Sequence, residues 1–212
     1  MRWVWISTVL CATLLFCQGC ASEWHALFNG DLRGWRKADF ALGEEPRVEG
    51  ESMILPEGGT LTGAVWTGEL PSGDYEISLE AMRLKGGDIF CALTFPAAGS
   101  HASLVLGGWG GTLCGISSLD GMDASENETM TQRNFEDGKW YRVRLRVTEG
   151  ALEAWLGDAA ADEKGETKIV DVDTEGRKLG IRSTMNAAKP LGLATWRTAS
   201  AIRNVRWRKV EP

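Results

Sequence analysis

The sequence predicts an all-β fold in which two antiparallel sheets pack face to face as a jelly-roll sandwich. Three observations support this prediction: apolar and polar residues alternate along two long segments, shorter apolar segments recur along the chain, and glycine-containing turns separate them. Alternation with a period of two is typical of half-buried antiparallel strands. Short strands that recur every ~8–15 residues are typical of a sandwich.

The clearest strands are predicted over residues 74–84 and 140–147, where every second residue is apolar. In the second segment the intervening residues are Arg142, Arg144 and Arg146, which we expect to face water. Further short strands are predicted over residues 47–55, 61–66, 89–95, 103–106, 113–117, 152–156, 169–173, 179–182, 191–195 and 202–209.

Turn and loop signals separate these strands. The turns contain glycine, which supplies the positive φ that tight turns require, and they fall at residues 49–51, 85–87, 137–138 and 149–150. Residues 159–167 are polar and small without an apolar period, which predicts an exposed insertion that tolerates deletion. Because no linker or composition shift divides residues 21–212, we expect them to form a single domain.

Residues 1–20 have the pattern of a secretory signal peptide. Arg2 precedes an uncharged apolar run over residues 3–17, and Gly19-Cys20 follows. The run is shorter than the about 20 apolar residues of a membrane-spanning helix. Bacterial lipoproteins are cleaved and acylated at such a cysteine, so Cys20 is the predicted lipidation site. We expect a cell-envelope protein, lipid-anchored in a membrane and facing the periplasm or the outside, with plain secretion and an uncleaved anchor as the alternatives.

The charge and the cysteines narrow the choice of partners. The sequence has a formal net charge of −6 and no basic run, so nucleic acid is not an expected partner. Cys11 and Cys17 leave with the signal, and Cys91 and Cys114 remain in the domain. A disulfide between these two and a pair of buried thiols are both compatible with the sequence.

The opening of the domain carries a family resemblance. Residues 27–35 read Leu-Phe-Asn-Gly-Asp-Leu-Arg-Gly-Trp and resemble the opening of the 3-keto-disaccharide hydrolase domain family. The resemblance continues over residues 74–77, 139–143, 152–156 and 202–205, which are successive strands in that family. It implies a concanavalin A-like jelly roll over nearly the whole domain and an activity on 3-keto-glycosides.

The chain also departs from that family at two places. Residues 155–158 read Trp-Leu-Gly-Asp where the family has a Trp-Leu-Asn-Gly turn. Residues 193–198 lack the histidine that often precedes the last strand of the family. The resemblance therefore implies the fold, and catalytic residues must be sought among this chain's own side chains.

The implied reaction defines what those residues must do. A ketone at C3 of a sugar acidifies the proton at C2, so a base can remove that proton and the glycosidic bond at C1 can leave by elimination, with water adding later. The site then needs a base and a cation or donor that holds the developing enolate. The candidates are His101, Arg182, Asp123 and Glu126. A solvated loop histidine and an exposed strand-end arginine are the alternative interpretations of the first two.

Residues 120–129 form the richest polar segment of the chain. Asp120, Asp123 and Glu128 could supply oxygen ligands to a divalent metal such as calcium. The spacing is not that of an EF-hand loop, because the alternate ligands and the later glutamate are missing. An acidic, solvated loop is the alternative interpretation.

One tryptophan lies in an unusual sequence context. Trp109 stands inside the glycine cluster 107–111, where there is little side-chain bulk to bury it, and an indole suits the apolar face of a sugar ring. Trp66 and Trp196 are further candidates for sugar stacking. The cluster is not a phosphate loop, because it lacks the Gly-Lys-Ser/Thr ending. Three tryptophans are expected to pack in the core or on a sheet: Trp35, Trp140 and Trp155.

Two functional classes remain open from the sequence. One is an enzyme that cleaves 3-keto or related glycosides by base-initiated elimination and hydration. The other is a non-catalytic carbohydrate-binding or envelope-attachment module. Both have an oligosaccharide or polysaccharide partner, and a scaffold without a ligand is the default if both fail. Convergence of His101, Arg182 and the carboxylates of residues 120–128 on one concave pocket would favour the enzyme.

Overall fold

The computed structural model describes residues 23–211. These residues form two antiparallel β-sheets, which confirms the predicted all-β sandwich. The predicted signal peptide over residues 1–20 and the predicted lipidation site Cys20 lie outside the described residues. Within residues 23–211 no helix has the length and apolar character needed to cross a bilayer.

The described part of the chain is built mainly from short strands. In chain order they are β1 (His25–Phe28), β2 (Trp35–Lys37), β3 (Arg47–Glu49), β4 (Ser52–Leu55), β5 (Leu61–Trp66), β6 (Tyr75–Gly86), β7 (Cys91–Ala97), β8 (Ser100–Gly107), β9 (Leu113–Ser117), β10 (Thr131–Gln132), β11 (Trp140–Val147), β12 (Ala151–Asp158), β13 (Thr167–Asp173), β14 (Gly192–Trp196) and β15 (Thr198–Lys209). A single helical turn covers Gly108–Gly111, and 3-10 helices cover Glu163–Gly165 and Ser183–Ala188.

The two sheets are assembled from strands that are distant in sequence. Sheet A has the order β13-β12-β11-β6-β15-β4-β3, with β1 also paired to β15. Sheet B has the order β10-β9-β8-β7-β14-β5-β2. The core lies between the sheets, where alternate residues such as Ile77 and Leu79 of β6 face Leu93 and Phe95 of β7 and are fully buried. Period-two alternation thus directs one face of each sheet to the core.

The arginines of β11 do not simply face water, contrary to the prediction. They lie on the outer face of sheet A, where Glu76 of β6 is opposite Arg146 and Arg208 in the strand registers. The Glu76 carboxylate lies 3.2 Å from Arg146 Nη2, 2.9 Å from Arg208 Nη2 and 3.4 Å from Arg144 Nη1, and its side chain is 0% exposed. The antiparallel register therefore places a buried carboxylate among three guanidinium groups.

The predicted insertion over residues 159–167 is exposed for most of its length but is not free. Arg142 donates hydrogen bonds to the carbonyls of Ala159 at 2.8 Å and Ala161 at 3.0 Å. The Glu166 carboxylate lies 2.8 Å from Arg144 Nη2, and its side chain is only 2% exposed. Deletion of the insertion would leave Arg142 and Arg144 without these partners, so the expectation that it tolerates deletion is withdrawn.

Strand predictions fail where pairing depends on distant residues. The predicted strand over residues 179–182 is wrong, because Leu179 forms only an isolated bridge with Leu119. The predicted strand over residues 47–55 is a hairpin, β3 and β4, that turns at Gly50 with a φ of 59°. Strands β1, β2 and β10 are not among the predicted strands, because they have at most four residues.

Cys91 and Cys114 are buried free thiols. In the registers of sheet B, Cys91 of β7 and Cys114 of β9 both pair with Leu106 of β8, so one strand lies between them. Two strand spacings separate their Cα atoms by about 10 Å, beyond the reach of a disulfide. Burial raises the pKa of Cys91 to about 12 and that of Cys114 to about 11. The structure thus favours a pair of buried thiols over a disulfide.

Candidate functional site

The outer face of sheet B is lined by small residues. One row crosses five strands in register, from β5 through β14, β7 and β8 to β9, and consists of Gly63, Ala194, Ala92, Val105 and Gly115. Large side chains at the intervening positions, such as Leu93 and Leu104, face the core instead. Phe40 lies over Gly63 and Thr129 lies over Gly115, so the two ends of the row are covered. Ala92 and Val105 in the middle of the row line a hollow that we call the trough.

A pocket of about 290 Å³ lies in the trough. This volume is close to the lower limit of about 300 Å³ for small-molecule sites. Its apolar lining comes from Leu61, Ile89, Ala92, Val105 and Met185, with the indoles of Trp109 and Trp196. Its polar lining comes from Asp88, Ser103, Ser117, Arg182 and Thr184. A largely apolar wall with a few convergent polar groups is the usual composition of a ligand site.

Trp109 reaches the pocket from a strained turn between β8 and β9. Its φ is 49°, in the left-handed region that favours glycine, and its side chain is 41% exposed. Gly111 follows with a φ of 100°, and an added Cβ there would lie 3.0 Å from the Gly87 carbonyl. Glycines therefore allow the close approach of this turn to the β6–β7 connection. A strained non-glycine residue that lines a pocket is typical of functional sites.

Arg182 enters the pocket as part of a small polar cluster. Its Nη1 atom lies 3.0 Å from Asp123 Oδ2, and its guanidinium carbon lies 5.9 Å from the centre of the Trp109 ring. The Ser117 hydroxyl donates a short hydrogen bond to Asp123 Oδ1. Both carboxylate oxygens of Asp123 are thus engaged by groups that line the pocket. The cluster holds the Arg182 guanidinium against one wall of the trough.

Backbone hydrogen bonds position this cluster. The Ser118 N–H donates to the Gly180 carbonyl at 2.7 Å, and the Gly180 N–H donates to the Ser118 carbonyl at 3.0 Å. The Asp120 N–H donates to the Lys178 carbonyl at 2.8 Å. This short ladder aligns the segment before Arg182 with residues 118–130, which we call the acidic segment. The ladder explains why two residues nearly sixty positions apart meet at the pocket.

The acidic segment is folded tightly around Asn127. The buried Asn127 amide donates to the carbonyls of Ile116 and Asp123, each at 2.8 Å, and accepts the Thr129 N–H at 2.9 Å. A Cβ on Gly115 would lie 3.1 Å from Thr129, so the segment packs directly against β9. The segment is therefore held by buried hydrogen bonds on its inner side, while Asp120, Glu126 and Glu128 on its outer side are exposed.

The structure does not bring the three predicted metal ligands together. Asp120 Oδ2 lies 2.5 Å from Arg177 Nε, and Glu128 Oε1 lies 2.7 Å from Arg177 Nη1. The Lys178 N–H and the Arg177 guanidinium lower the pKa of Asp120, and Arg177 lowers that of Glu128. Asp123 binds Arg182 instead. Among residues 23–211, no group of three or more His, Cys, Asp or Glu side chains is arranged to hold a metal ion.

Two of the other catalytic candidates lie near the trough without lining its pocket. Glu126 is exposed, and its carboxylate accepts the Asp123 N–H at 3.2 Å. His101 lies on the trough side of β8, two residues before Ser103. Partial burial and then the charge of Lys189 hold the pKa of His101 below its ordinary value of 6.5.

The predicted sugar-stacking tryptophans separate into two groups. Trp109 and Trp196 both line the pocket. Trp66 faces the other side of β5, where its ring lies 5.5 Å from that of Trp35 and its indole N–H donates to the Glu69 carbonyl at 2.8 Å. An added Cβ on Gly34 would lie 2.4 Å from the Trp66 ring. The opening motif thus packs around Trp66, outside the pocket.

Asp88 lines the pocket and was not among the sequence-based candidates. It lies in the connection between β6 and β7, directly after Gly86-Gly87. The signal in the sequence is a carboxylate that follows a glycine turn and precedes a strand that is apolar on both faces. Such a residue stands at the end of a sheet, but the sequence alone does not show that Trp109 and Arg182 stand there too.

The fold defines a class of protein architecture. A two-sheet antiparallel sandwich of this kind is the jelly-roll architecture of lectins and carbohydrate-binding modules. Within that class, the chain belongs to the family of 3-keto-alpha-glucoside-1,2-lyase-like domains, whose family model matches residues 23–211. The match confirms the family resemblance of the opening motif and of the later strands.

Three solved structures illustrate the similarity. A protein of Parabacteroides distasonis that is assigned to the glycosyl hydrolases is 14% identical, with a TM-score of 0.55 over 89% of this chain and 94% of that one. The lumenal domain of VIP36, bound to Ca²⁺ and Man3GlcNAc, is 11% identical, with a TM-score of 0.60 over 89% of each chain. The carbohydrate-binding module CBM66 of Bacillus subtilis is 11% identical, with a TM-score of 0.54 over 86% of this chain and 99% of that one. At these identities the similarity is one of fold. No curated protein matches the chain.

Proposed function

We propose that the chain binds a glycoside in the trough of sheet B and cleaves 3-keto-glycosides by base-initiated elimination, followed by hydration. The observation that carries the proposal is the composition of the pocket: two indoles, a guanidinium and a carboxylate line one largely apolar cavity. Family membership supports the substrate class, because the matching model describes 3-keto-alpha-glucoside-1,2-lyase-like domains.

The proposed reaction assigns a task to each wall of the pocket. The indoles of Trp109 and Trp196 offer flat apolar surfaces to the C–H face of a sugar ring. A carboxylate takes the C2 proton, and the electron pair of that C–H bond passes to the C3 oxygen as an enolate. Arg182 stabilises the enolate charge through its guanidinium N–H groups. The enolate then expels the alcohol at C1, which takes up a proton, and water adds to the unsaturated sugar.

The reaction is derived without a metal ion. Calcium is named with VIP36, a lectin-like neighbour, so a calcium site is a natural hypothesis for this fold. The side chains that the sequence suggested for it do not fit, because Asp120 and Glu128 are both bound to Arg177. We therefore assign no metal ligand to the acidic segment, and no step of the proposed reaction uses a metal ion.

A non-catalytic carbohydrate-binding module is the second candidate function. The observation that favours it is the exposed indole of Trp109, together with the similarity of the fold to a lectin and to a carbohydrate-binding module. Both candidates place the sugar in the same trough. They differ in whether the bound sugar reacts.

The test measures binding and turnover separately. The purified protein is mixed with chromogenic 3-keto-glucosides of both anomeric configurations, with divalent metal and with a chelator, and alcohol release is followed. Arg182→Ala should lower turnover about 100-fold, because the enolate loses its cation. Arg33→Ala is the matched control, because Arg33 is 90% exposed, forms an ion pair with Asp31 and is absent from the pocket lining. Sugar binding without alcohol release by wild-type protein would support the binding module instead.

A further inference from the structure

We propose that Asp88 is the general base of this site and that Asp123 is a positioning residue for Arg182. This inference rests on the proposed function, because it names the group that starts the elimination. It reverses the assignment that the sequence suggests, in which Asp123 and Glu126 are the candidate bases.

The hydrogen bonds of Asp88 leave one oxygen available. Asp88 Oδ1 accepts the N–H of Ile89 at 2.8 Å, which fixes the rotation of the carboxylate. The Asp88 backbone N–H donates to Thr198 Oγ1 at 3.2 Å, which anchors the residue to the first position of β15. Within the described residues, Asp88 Oδ2 has neither a hydrogen-bond donor nor an ion-pair partner. A carboxylate that is held by one oxygen and free at the other is suited to accept a proton.

The surroundings of Asp123 are those of a structural carboxylate. Oδ2 is paired with Arg182 at 3.0 Å, and Oδ1 accepts the Ser117 hydroxyl and the Ala124 N–H. A proton acceptor needs an accessible lone pair, whereas these contacts engage both oxygens of Asp123. Asp123 therefore holds the Arg182 guanidinium in place, and Arg182 contacts the ligand.

The remaining candidates are less well placed than Asp88. The Glu126 carboxylate caps the N–H of Asp123 and is absent from the pocket lining. His101 is two residues before Ser103 on β8, on the same face of sheet B, and is also absent from the pocket lining. In the described part of the chain, Asp88 is the acidic residue that lines the pocket. Arg182 lines the same pocket, so proton removal and charge stabilisation are both available to one ligand.

The proton balance of the step is simple. Asp88 Oδ2 takes the C2 proton, and the C–H electron pair forms the C2=C3 bond of the enolate while the carbonyl oxygen becomes negative beside Arg182. When the enolate collapses, the C1–O bond breaks and the leaving oxygen takes a proton. The protonated Asp88 carboxyl, or a water molecule, supplies that proton. No oxidant or reductant is consumed.

The test uses a probe that separates proton removal from bond cleavage. The 3-keto derivative of 1-deoxyglucose has the ketone but no alcohol group at C1, so removal of its C2 proton leads to exchange without release of an alcohol. In deuterium oxide the exchange is followed by proton NMR with the purified protein. Asp88→Asn should slow the exchange by a factor of about 100 to 10,000, because the amide cannot accept the proton while it still accepts the Ile89 N–H. Asp123→Asn should still exchange the proton but more slowly, because the base remains while Arg182 is less well positioned beside the enolate, and in glycoside turnover its kcat should fall more than its KM rises.

A second variant guards against misfolding. Asp88→Ala should be inactive in exchange, and added formate should restore part of the rate, because a small carboxylate can occupy the vacated space. The melting temperature and the sugar binding of Asp88→Asn and Asp88→Ala should match those of the wild-type protein. Restoration by formate separates a missing base from a disturbed fold.

The outcomes distinguish this inference from the function on which it rests. Exchange by Asp88→Asn at the wild-type rate overturns the role of Asp88 and leaves the proposed elimination intact. Binding without exchange by the wild-type protein overturns both the base and the elimination, and leaves a binding module. Neither binding nor exchange by the wild-type protein overturns the glycan site itself.

Discussion

Trp109 combines two properties that rarely occur together. Its backbone lies in the left-handed region, with a φ of 49°, although tryptophan has no conformational reason to be there. Its indole is 41% exposed and lies beside Arg182 at the edge of the pocket. The surrounding glycines accept positive φ without strain, and they force this geometry on the one large residue among them. We interpret the strain as the cost of presenting an indole to a ligand.

Truncation of this indole separates a binding role from a packing role. We expect Trp109→Ala to weaken oligosaccharide binding at least about tenfold and to leave the melting temperature nearly unchanged, because stacking is lost and little burial changes. Binding is measured by titration calorimetry and stability by thermal melting. Trp155→Ala on the outer face of sheet A is the control that should not change binding. A loss of about 3 to 5 kcal/mol of stability with intact binding would instead identify Trp109 as a core residue.

At the scale of elements, the site depends on two segments that lie outside the regular strands. The acidic segment and the stretch that leads to Arg182 are joined by the short backbone ladder and by Arg177, which bridges Asp120 and Glu128. Asp123 and Arg182 meet only because this joint is formed. Disturbance of the joint should therefore affect the site even though Arg177 is not part of the pocket lining.

The joint should have a recognisable pH dependence. The Lys178 N–H and then Arg177 lower the pKa of Asp120 from its ordinary value of 3.8, and Arg177 lowers that of Glu128 from 4.5. The stabilising effect of Arg177 is therefore complete above those ordinary values and is lost as the pH falls through the lowered ones. We expect Arg177→Ala to melt below the wild-type temperature at neutral pH, with the difference shrinking as the pH falls below the ordinary pKa values of the two carboxyl groups. Melting curves from pH 7 downward measure this. A difference that is constant with pH would show that Arg177 acts through packing alone.

A second feature at the scale of elements lies on the outer face of sheet A, where Glu76 of β6 is buried beside its two neighbouring strands, β11 and β15. Glu76→Gln removes the charge that three arginines share, so we expect a loss of about 3 kcal/mol and a fall in melting temperature of about 6 to 12 °C. Glu163→Gln, in the exposed 3-10 turn, is the control and should change little. Wild-type stability of Glu76→Gln would mean that the arginines are stabilised by their other partners.

At the scale of the whole molecule, the two outer faces of the sandwich differ in chemistry. The Trp24 ring lies 4.4 Å from the guanidinium carbon of Arg206 and 4.5 Å from that of Arg208, on the outer face of sheet A. The trough lies on the outer face of sheet B, on the opposite side of the core. The described chain thus begins on the face away from the pocket.

Lipidation is tested in a bacterial expression host. We expect the full-length protein to incorporate a palmitate analogue and to fractionate with membranes, because acyl chains on Cys20 bury many methylene groups. Cys20→Ala should abolish the label and release the domain. Cys17→Ala is the matched control and should remain labelled, because Cys17 leaves with the signal. Unlabelled, released wild-type protein would contradict the lipoprotein prediction and favour plain secretion.

Several parts of the fold were predictable from local pattern alone. The alternation over residues 140–147 matches β11 in full, and the apolar segments 61–66 and 113–117 match β5 and β9 in full. The opening motif indicated the family from its residues alone. In the structure these residues form a packed turn, in which Trp35 donates its indole N–H to the Leu27 carbonyl at 2.9 Å. Such features depend on neighbours in sequence, so one chain suffices to predict them.

By itself, the sequence determined the all-β class, the family and the importance of Trp109 and Arg182 as candidates. Only the tertiary structure decided that Asp88 lines the same pocket and that Trp66 does not. It also decided that Asp120 and Glu128 form ion pairs with Arg177, where the sequence suggested that they bind a metal ion. The physical reason is the topology. A sandwich pairs strands that are far apart in the chain, so the pocket is built from side chains whose proximity is set by strand order and register, which no local period encodes.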